Sequence, residues 1–302
     1  MTTTLTKQPT ASAAPQPVSA VGHSDSVGAG RRRRTAVLAF LRTAAAYAGS
    51  GLWKAAGILA FLALWELGPT YLASPSTRVF LPPLHEVLAA WGKLFESGTI
   101  QGHLVASLTR SVFGFGAAVV AGVSLGLLIA WYGRLNSVLS PLLELFRNTA
   151  ALALLPVFTL LLGIGEESKI SIVAYAAFFP VLLNTIAGVK TVDPLLIRAA
   201  KSLGLSSLAL FRKVILPSAV PTIFTGIRMA GTASILVLIA AEMVGAKAGL
   251  GYLIVNAQSS FLIPDMYAGI LTVSLLGLAV NFLLVALERH FSRWRTAVGS
   301  GA

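Results

Sequence analysis

Four charged side chains lie in or near long apolar segments, where an ion needs a partner or a route to water: Glu66, Arg110, Arg228 and Glu242. A charge at the centre of a bilayer costs at least about 2.5–3.5 kcal/mol. Arg228 lies deepest in its segment. It is therefore a candidate pore-facing cation for an anionic solute, or else a structural partner of Glu242 or of a backbone carbonyl.

The spacing of these charges limits how they can pair. Arg228 and Glu242 are fourteen residues apart, about 21 Å along an ideal helix, so they cannot pair within one helix. Glu66 and Arg110 lie nearer the ends of their segments, which favours side chains that extend to the membrane interface. Two amides are candidates for interhelical hydrogen bonds or for pore lining: Asn184 and Asn281.

Residues for catalysis or metal binding are not grouped in this sequence. The chain has no cysteine, and its four histidines are far apart, which excludes disulfides, thiolate metal sites and a cysteine nucleophile. The fragment that most resembles a phosphate-binding loop, 188–191, lacks the earlier glycine of that motif. We therefore expect a protein that is not an enzyme and that holds no cofactor or metal of its own.

Composition places these residues in a membrane protein. Of the 302 residues, 56% are apolar and only 11% are charged, and the mean hydropathy is +0.80. Soluble domains carry about 25% charged residues. The net charge is +12, but the basic residues lie at the chain ends and in alternate loops. That pattern indicates membrane orientation and argues against a nucleic-acid partner.

The sequence predicts an all-α, polytopic fold with six transmembrane helices, since about 20 apolar residues cross a bilayer. The third segment is predicted to extend backwards through 141–146. With the amino terminus in the cytoplasm, 17 basic residues are cytoplasmic and 4 lie in outer loops, which predicts that both termini are cytoplasmic. The predicted spans are 53–73, 104–131, 149–164, 169–189, 214–245 and 266–288.

Four regions are predicted along the chain. Residues 1–50 form a disordered basic tail, and 51–100 contain the first span and an outer amphipathic segment. This outer segment is expected to lie on the interface, to cap the bundle or to bind a partner. Residues 101–297 form the core with a cytoplasmic loop at 190–213, and 298–302 are a tail.

Small residues recur at every fourth position of the second span. This spacing puts them on one face of a helix, where a neighbouring helix can approach closely. The predicted packing ridge consists of Gly114, Ala118, Gly122 and Gly126.

The loop at 190–213 carries the start and stop signals that are typical of two short helices. Asp193 is a good N-cap, and Pro194 suits the first helical position. Gly204 can adopt the left-handed conformation that ends a helix, and a second short helix is predicted over 206–213. Ala199 and Ala200 would leave one face bare, as in a knuckle that enters a groove of another protein. A plain solvated connector is the alternative.

This loop resembles the EAA loop of ABC importer permeases. The resemblance rests on Ala199-Ala200, on Gly204 five residues after Ala199, and on 214–217 (Val-Ile-Leu-Pro). Arg198 replaces the glutamate of the pattern, and Val214 replaces an isoleucine. The resemblance implies that the following residues couple the chain to an ATPase: Asp193, Arg198, Ala199, Ala200, Ser202, Gly204, Leu205 and Pro217.

Further segments resemble the sulfonate, taurine and nitrate branch of these permeases. They are Leu81-Pro82-Pro83, the turn 163–169, and Ala241-Glu242 followed by 249–252. Residues 150–151 are alanines where that branch usually has proline.

The resemblance implies a type I ABC importer permease that imports a small solute across the bacterial inner membrane. Its implied partners are a second copy of the chain, a cytoplasmic ATPase dimer that binds ATP and Mg, and an extracytoplasmic substrate-binding protein. A stand-alone secondary transporter or channel is the alternative. That class often shows internal repeats and paired intramembrane acids, and we find neither in the sequence.

Overall fold

The computed structural model describes residues 56–72 and 74–291. The contacts within the chain define two units, one that ends at Ala63 and one that begins at Leu64. The described residues are almost entirely helical and contain no strand, which confirms the all-α class. The predicted tails 1–50 and 298–302 lie outside the described residues.

Twelve helices make up the described part of the chain. Three short turns of other helix types adjoin these helices: π turns at Gly68–Leu72 and Phe211–Ile215, and a 3₁₀ turn at Ala151–Leu154. The helices are α1 (56–67), α2 (Pro75–Phe80), α3 (Leu84–Glu96), α4 (Thr99–Trp131), α5 (Gly133–Arg147), α6 (Leu155–Leu162), α7 (Glu166–Lys190), α8 (Pro194–Ser202), α9 (Ser207–Leu210), α10 (Leu216–Glu242), α11 (Leu250–Ser259) and α12 (Ile263–Phe291).

Four helical runs in the described residues are long and apolar enough to cross a membrane: α4, α7, the continuous run Ser207–Glu242, and α12. The pair α5 and Ala151–Leu162 makes a fifth if it is one broken span. The first predicted span, 53–73, lies partly outside the described residues. A multi-pass membrane protein is therefore confirmed, whereas the count of six remains a prediction.

The third predicted span is not a straight helix. The two helices of the broken pair meet at 85°, so the predicted backward extension through 141–146 is bent away from 151–162, and its place in the third span stays a prediction. Ala150 has an extended backbone (φ −64°, ψ 117°), which ends the helical run. The Tyr175 hydroxyl on α7 donates to the Phe146 carbonyl (3.1 Å). The same carbonyl also accepts from the Thr149 N–H (3.1 Å), so the end of α5 is bonded both to the residues that follow it and to α7.

The core is built around α7, which packs against α4 on one side and α10 on the other. The small residues of α4 make the first contact: Ala118 is buried with Ala177 and Val181. A Cβ at Gly122 would lie 2.9 Å from Val181 Cγ1, and one at Gly126 would lie 2.7 Å from Thr185 Cβ. The two backbones therefore approach too closely for any larger side chain.

The helix α3, which belongs to the predicted outer segment, packs against α12 and α4. Val87 and Ala90 are buried, and the Trp91 indole N–H donates to Thr272 Oγ1 on α12 (3.1 Å). Glu66 accepts hydrogen bonds from the His85 backbone N–H (3.1 Å) and pairs with His85 Nδ1 (2.7 Å). Glu66 thus anchors the first turn of α3 while its side chain stays 37% exposed, and its extension to the interface stays a prediction.

Candidate functional site

The α8 helix begins and ends where the sequence predicts. The Asp193 carboxylate accepts from the Leu195 N–H (2.8 Å), and Pro194 is the first helical residue. At the other end Gly204 has φ +75°. Its N–H donates to the Lys201 carbonyl (3.0 Å) and the Leu205 N–H donates to the Ala200 carbonyl (3.2 Å). These two bonds are the Schellman pattern, which needs a left-handed residue at Gly204.

The second loop helix differs from the prediction. Ser206 caps α9 by accepting from the Ala209 N–H (3.3 Å), but the helix does not end at Lys213. The chain continues without a break into α10, as one helical run to Glu242. In the π turn the Leu216 N–H donates to the Phe211 carbonyl. The wider turn accommodates Pro217, which has no N–H to donate.

The apolar residues of the α8–α9 loop divide into a buried group and an exposed group. One face packs into a cluster of Val192, Ala200, Leu210 and Ile215, and Leu205 packs against that cluster. Ala200 is therefore buried, which corrects the prediction that both alanines form a bare face; only Ala199 is exposed. Four leucines of the same loop are exposed, and we call them together the leucine face: Leu195, Leu196, Leu203 and Leu208.

Basic side chains lie beside the leucine face. Arg198 and Lys201 are exposed, and no partner of the Arg198 guanidinium is found among the described residues. The Ser202 hydroxyl donates to the Arg198 carbonyl (3.1 Å). Large exposed apolar side chains on a short loop are typical of a protein-binding surface. The loop therefore combines an apolar, basic outer face with an inner face that fixes it to the bundle.

A second site lies at the opposite end of the bundle, around Arg110. This residue is only 2% exposed. Its Nη1 donates to Glu242 Oε1 (2.6 Å) and to the Ala248 carbonyl (2.7 Å). Its Nε and Nη2 donate to the two carboxylate oxygens of Glu166 (2.5 and 2.6 Å). The prediction that Arg110 extends to the interface is therefore wrong.

The position of Arg110 on α4 explains this burial. It lies four residues before Gly114, so it shares the face of the small-residue ridge that packs on α7. The sequence carried this signal in its spacing. Glu166 and Ala248 were missed because nothing in the sequence indicates that their loops meet at α4.

Glu242 is a fully enclosed carboxylate with polar partners on every side. It accepts from Arg110, from the Ser107 hydroxyl (2.8 Å) and from the Gly251 N–H (3.0 Å). The Ser107 oxygen accepts from the Leu250 N–H (2.8 Å). A Cβ at Gly251 would overlap Glu242 Cβ and the Ile239 carbonyl, so glycine is required there. These bonds join the start of α4 to the α10–α11 connection.

The other polar candidates lie elsewhere. Arg228 pairs with Glu288 (3.4 Å), and the two side chains are 50% and 26% exposed. Glu288 is close to the end of α12, so this pair lies near one end of the bundle. Asn184 donates to the Pro180 carbonyl within α7 (2.8 Å). Asn281 lines a cavity of about 390 Å³ between α10 and α12.

The described residues contain no group of three or more His, Cys, Asp or Glu side chains that could hold a metal ion. The fold and the two sites define a multi-pass membrane protein with an exposed apolar loop at one end and a buried ion cluster at the other.

The sequence profile of one protein family matches residues 118–296, and its description is "Binding-protein-dependent transport system inner membrane component". The chain belongs to this family. The match runs from the middle of α4 past the end of α12 and includes the α8–α9 loop.

Several relatives of known type are similar to this chain over most of its length. The taurine transport system permease protein of Escherichia coli (strain K12) is 37% identical over 78% of this chain and 86% of its own length. A putative aliphatic sulfonates transport permease protein of the same organism is 36% identical over 78% and 89%. The bicarbonate transport system permease protein of Synechococcus elongatus is 32% identical over 79% and 88%. The chain is accordingly an ABC transporter permease component of the taurine, sulfonate and bicarbonate type, and it is not itself an ATPase.

Solved structures agree on the fold. The chain resembles a chain of the MetNI methionine ABC transporter in an inward-facing conformation, with a TM-score of 0.54 and 19% identity over 64% of this chain and 95% of that one. This likeness supports the ABC importer permease fold. These relatives do not favour the stand-alone transporter or channel.

Proposed function

We propose that the chain is the permease subunit of an ATP-driven importer and that its α8–α9 loop docks in a cytoplasmic ATPase subunit. The leucine face is the observation that carries this proposal. Leu203 is 79% exposed and Leu208 is 66% exposed, and apolar side chains of this size favour a protein groove over water. Arg198 and Lys201 would surround that contact with positive charge.

The inner face of the loop supports transmission of movement. Val192, just after α7, and Ile215, just before α10, share a buried cluster with Ala200 of α8. A displacement of the loop therefore acts on α7 and α10 together. Since α7 also packs against α4, the loop is mechanically joined to the centre of the bundle. ATP and Mg would be held by the partner ATPase.

The solute is proposed to be a small organosulfur anion or a related oxyanion. Support comes from the relatives named for taurine, aliphatic sulfonates and bicarbonate. A second copy of the chain would complete the pore, and an extracytoplasmic binding protein would deliver the solute. The distribution of basic residues supports placement in the inner membrane with both termini in the cytoplasm.

The experiment that tests coupling uses two substitutions at Gly204. Its backbone is left-handed, but a Cβ there would meet no atom within 4 Å, so conformation alone decides the outcome. Asparagine tolerates this conformation, whereas a β-branched residue does not. We expect Gly204→Val to reduce solute uptake into ATP-loaded vesicles at least tenfold and Gly204→Asn to retain most of it. Equal uptake by both variants would contradict a coupling role for the bend at Gly204.

Partner identity is tested by purification from native membranes on a carboxy-terminal tag. We expect about one ATPase subunit per permease chain. The chain contains no cysteine, so a single Ser207→Cys variant can be cross-linked to the partner without background. Ser207 is exposed and, unlike Ser206, caps no helix. Purification of the chain without any ATPase, even in lipid-preserving detergent, would contradict the proposal.

A further inference from the structure

The guanidinium of Arg110 has two edges in different surroundings. The Nη1 side faces Glu242 and the Ala248 carbonyl, and the Glu242 side chain is completely buried. The other edge, formed by Nε and Nη2, faces Glu166, whose side chain is 65% exposed. One edge is therefore fixed inside the protein, while the partner of the other edge reaches solvent.

Without Glu166, the buried positive charges near this second edge outnumber the buried negative ones. Lys169, three residues after Glu166, is 3% exposed, and its Nζ donates to the Gly165 carbonyl (3.1 Å). The buried charges in this region are thus two cations, Arg110 and Lys169, and one carboxylate, Glu242. If Glu166 leaves, the cluster of Arg110, Lys169 and Glu242 carries a net positive charge.

The chemistry of the exposed edge is that of an oxyanion site. Two parallel N–H groups of a guanidinium match two oxygens of a carboxylate or a sulfonate. Glu166 fills this edge with both of its carboxylate oxygens, as an external anion would. Buried N–H groups are costly to leave without acceptors. Departure of Glu166 therefore favours the arrival of another oxyanion at the same atoms.

We propose that the Nε and Nη2 edge of Arg110 is a binding edge for a small monovalent oxyanion, and that Glu166 occupies it as an internal substitute in this structure. The ligand class is a sulfonate, a carboxylate or bicarbonate. The proposed import function enters only in naming this anion as the solute. By the charge distribution the edge lies at the outer end of the bundle, where an imported solute arrives.

The alternative is that Glu166 and Arg110 form a purely structural ion pair. The two possibilities differ in what happens when Glu166 is removed. A structural pair loses stability and gains no ligand. An occupied binding edge becomes available, so anion affinity rises.

The experiment measures binding of methanesulfonate to the permease complex in lipid nanodiscs by calorimetry, with sodium chloride at equal ionic strength as the reference. We expect Glu166→Ala to bind methanesulfonate at least tenfold more tightly than the unsubstituted chain. Glu167→Ala is the matched control, since Glu167 is the next residue and is also exposed. It should bind as the unsubstituted chain does. A parallel titration with bicarbonate distinguishes the two classes of oxyanion.

A second variant tests whether anion binding needs the two parallel N–H donors of Arg110 or only its positive charge. Arg110→Lys combined with Glu166→Ala keeps a cation but removes the two parallel donors, and we expect it to lose the gain in affinity. A Glu166→Ala variant that folds, shows a lower unfolding temperature and binds no more methanesulfonate than the control would overturn the proposal. Because the Gly204 variants test import independently, that outcome would leave the proposed function intact.

Discussion

Glu242 is a buried carboxylate that holds several polar groups of the bundle together. It accepts from Arg110, Ser107 and the Gly251 N–H inside the bundle. Removing one partner of a buried ion pair is strongly destabilising because the other charge remains buried. The Arg228–Glu288 pair offers the contrast, since both of its side chains are partly exposed and solvent weakens such pairs.

We expect Glu242→Ala to lower the free energy of unfolding by about 3–5 kcal/mol. The matched change Glu288→Ala should lower it by less than about 1 kcal/mol. Denaturant titration of the purified protein in detergent, followed by circular dichroism, measures both. Similar losses for the two variants would show that burial does not set the strength of these pairs.

Phe261 has a left-handed backbone, a conformation that glycine usually adopts. It ends α11 with φ +56°, and its N–H donates to the Gln258 carbonyl (3.1 Å) while the Leu262 N–H donates to the Ala257 carbonyl (2.9 Å). This is the same Schellman pattern that Gly204 forms after α8, but with a side chain in the left-handed position. The ring is 75% exposed, so little packing compensates for the backbone strain.

We therefore expect Phe261→Gly to stabilise the protein by about 0.5–1 kcal/mol, the gain from relieved strain exceeding the greater freedom of glycine in the unfolded chain. The unfolding temperature in detergent checks this. Phe261→Ala is the control, since it removes the ring but keeps the Cβ, and it should not stabilise. If the glycine variant melts at a lower temperature than the phenylalanine protein, the exposed ring contributes more than its backbone strain removes.

At the scale of elements, the contact between α4 and α7 sets how the bundle is built. It depends on the absence of side chains at particular glycines, because the helices touch through their backbones. A Cβ at Gly122 would meet Val181 at 2.9 Å, whereas a Cβ at Gly116 on the same helix would meet nothing within 4 Å. The two positions therefore separate close packing from helix propensity.

Gly122→Ala is expected to destabilise the fold by about 1–3 kcal/mol through overpacking. Gly116→Ala should be neutral or stabilising by up to about 1 kcal/mol, because alanine favours the helix. Thermal unfolding of both variants measures the difference. A Gly122→Ala variant as stable as the Gly116→Ala variant would mean that α4 and α7 can separate without loss.

The α8–α9 loop and the α5–α6 bend show which elements the sequence specifies locally. Asp193, Pro194 and Gly204 define α8 because caps act through bonds to residues only a few positions away. The 85° bend after α5 lies at the extended backbone of Ala150 and beside the bond between Tyr175 and Phe146. That bond joins residues 29 apart, so no local pattern could reveal it.

At the scale of the whole molecule, orientation in the membrane determines which site meets which partner. The distribution of basic residues predicts that the α8–α9 loop is cytoplasmic and that the turn before α7 is on the outside. Ser207 and Ile164 are exposed residues of these two segments, and the chain has no native cysteine to interfere.

A membrane-impermeant maleimide should therefore label Ser207→Cys only in inside-out vesicles and Ile164→Cys only in right-side-out vesicles or intact cells. Labelling after detergent lysis serves as the control for accessibility of each cysteine. Labelling of both residues from the same side would contradict the orientation, and with it the placement of the Arg110 cluster at the outer end.

The sequence alone determined the class of protein and the site whose geometry is local. Apolar length, charge asymmetry and the caps of α8 act within short stretches of chain, so composition and spacing specify them. Tertiary structure decided which charges meet. Arg110 pairs with Glu166, which is 56 residues away in the sequence, and with Glu242, which is 132 residues away. Arg228 pairs with Glu288, which is 60 residues away. Partners at such distances are chosen by how α4, α7, α10 and α12 pack, and close packing depends on the shapes of all of them together.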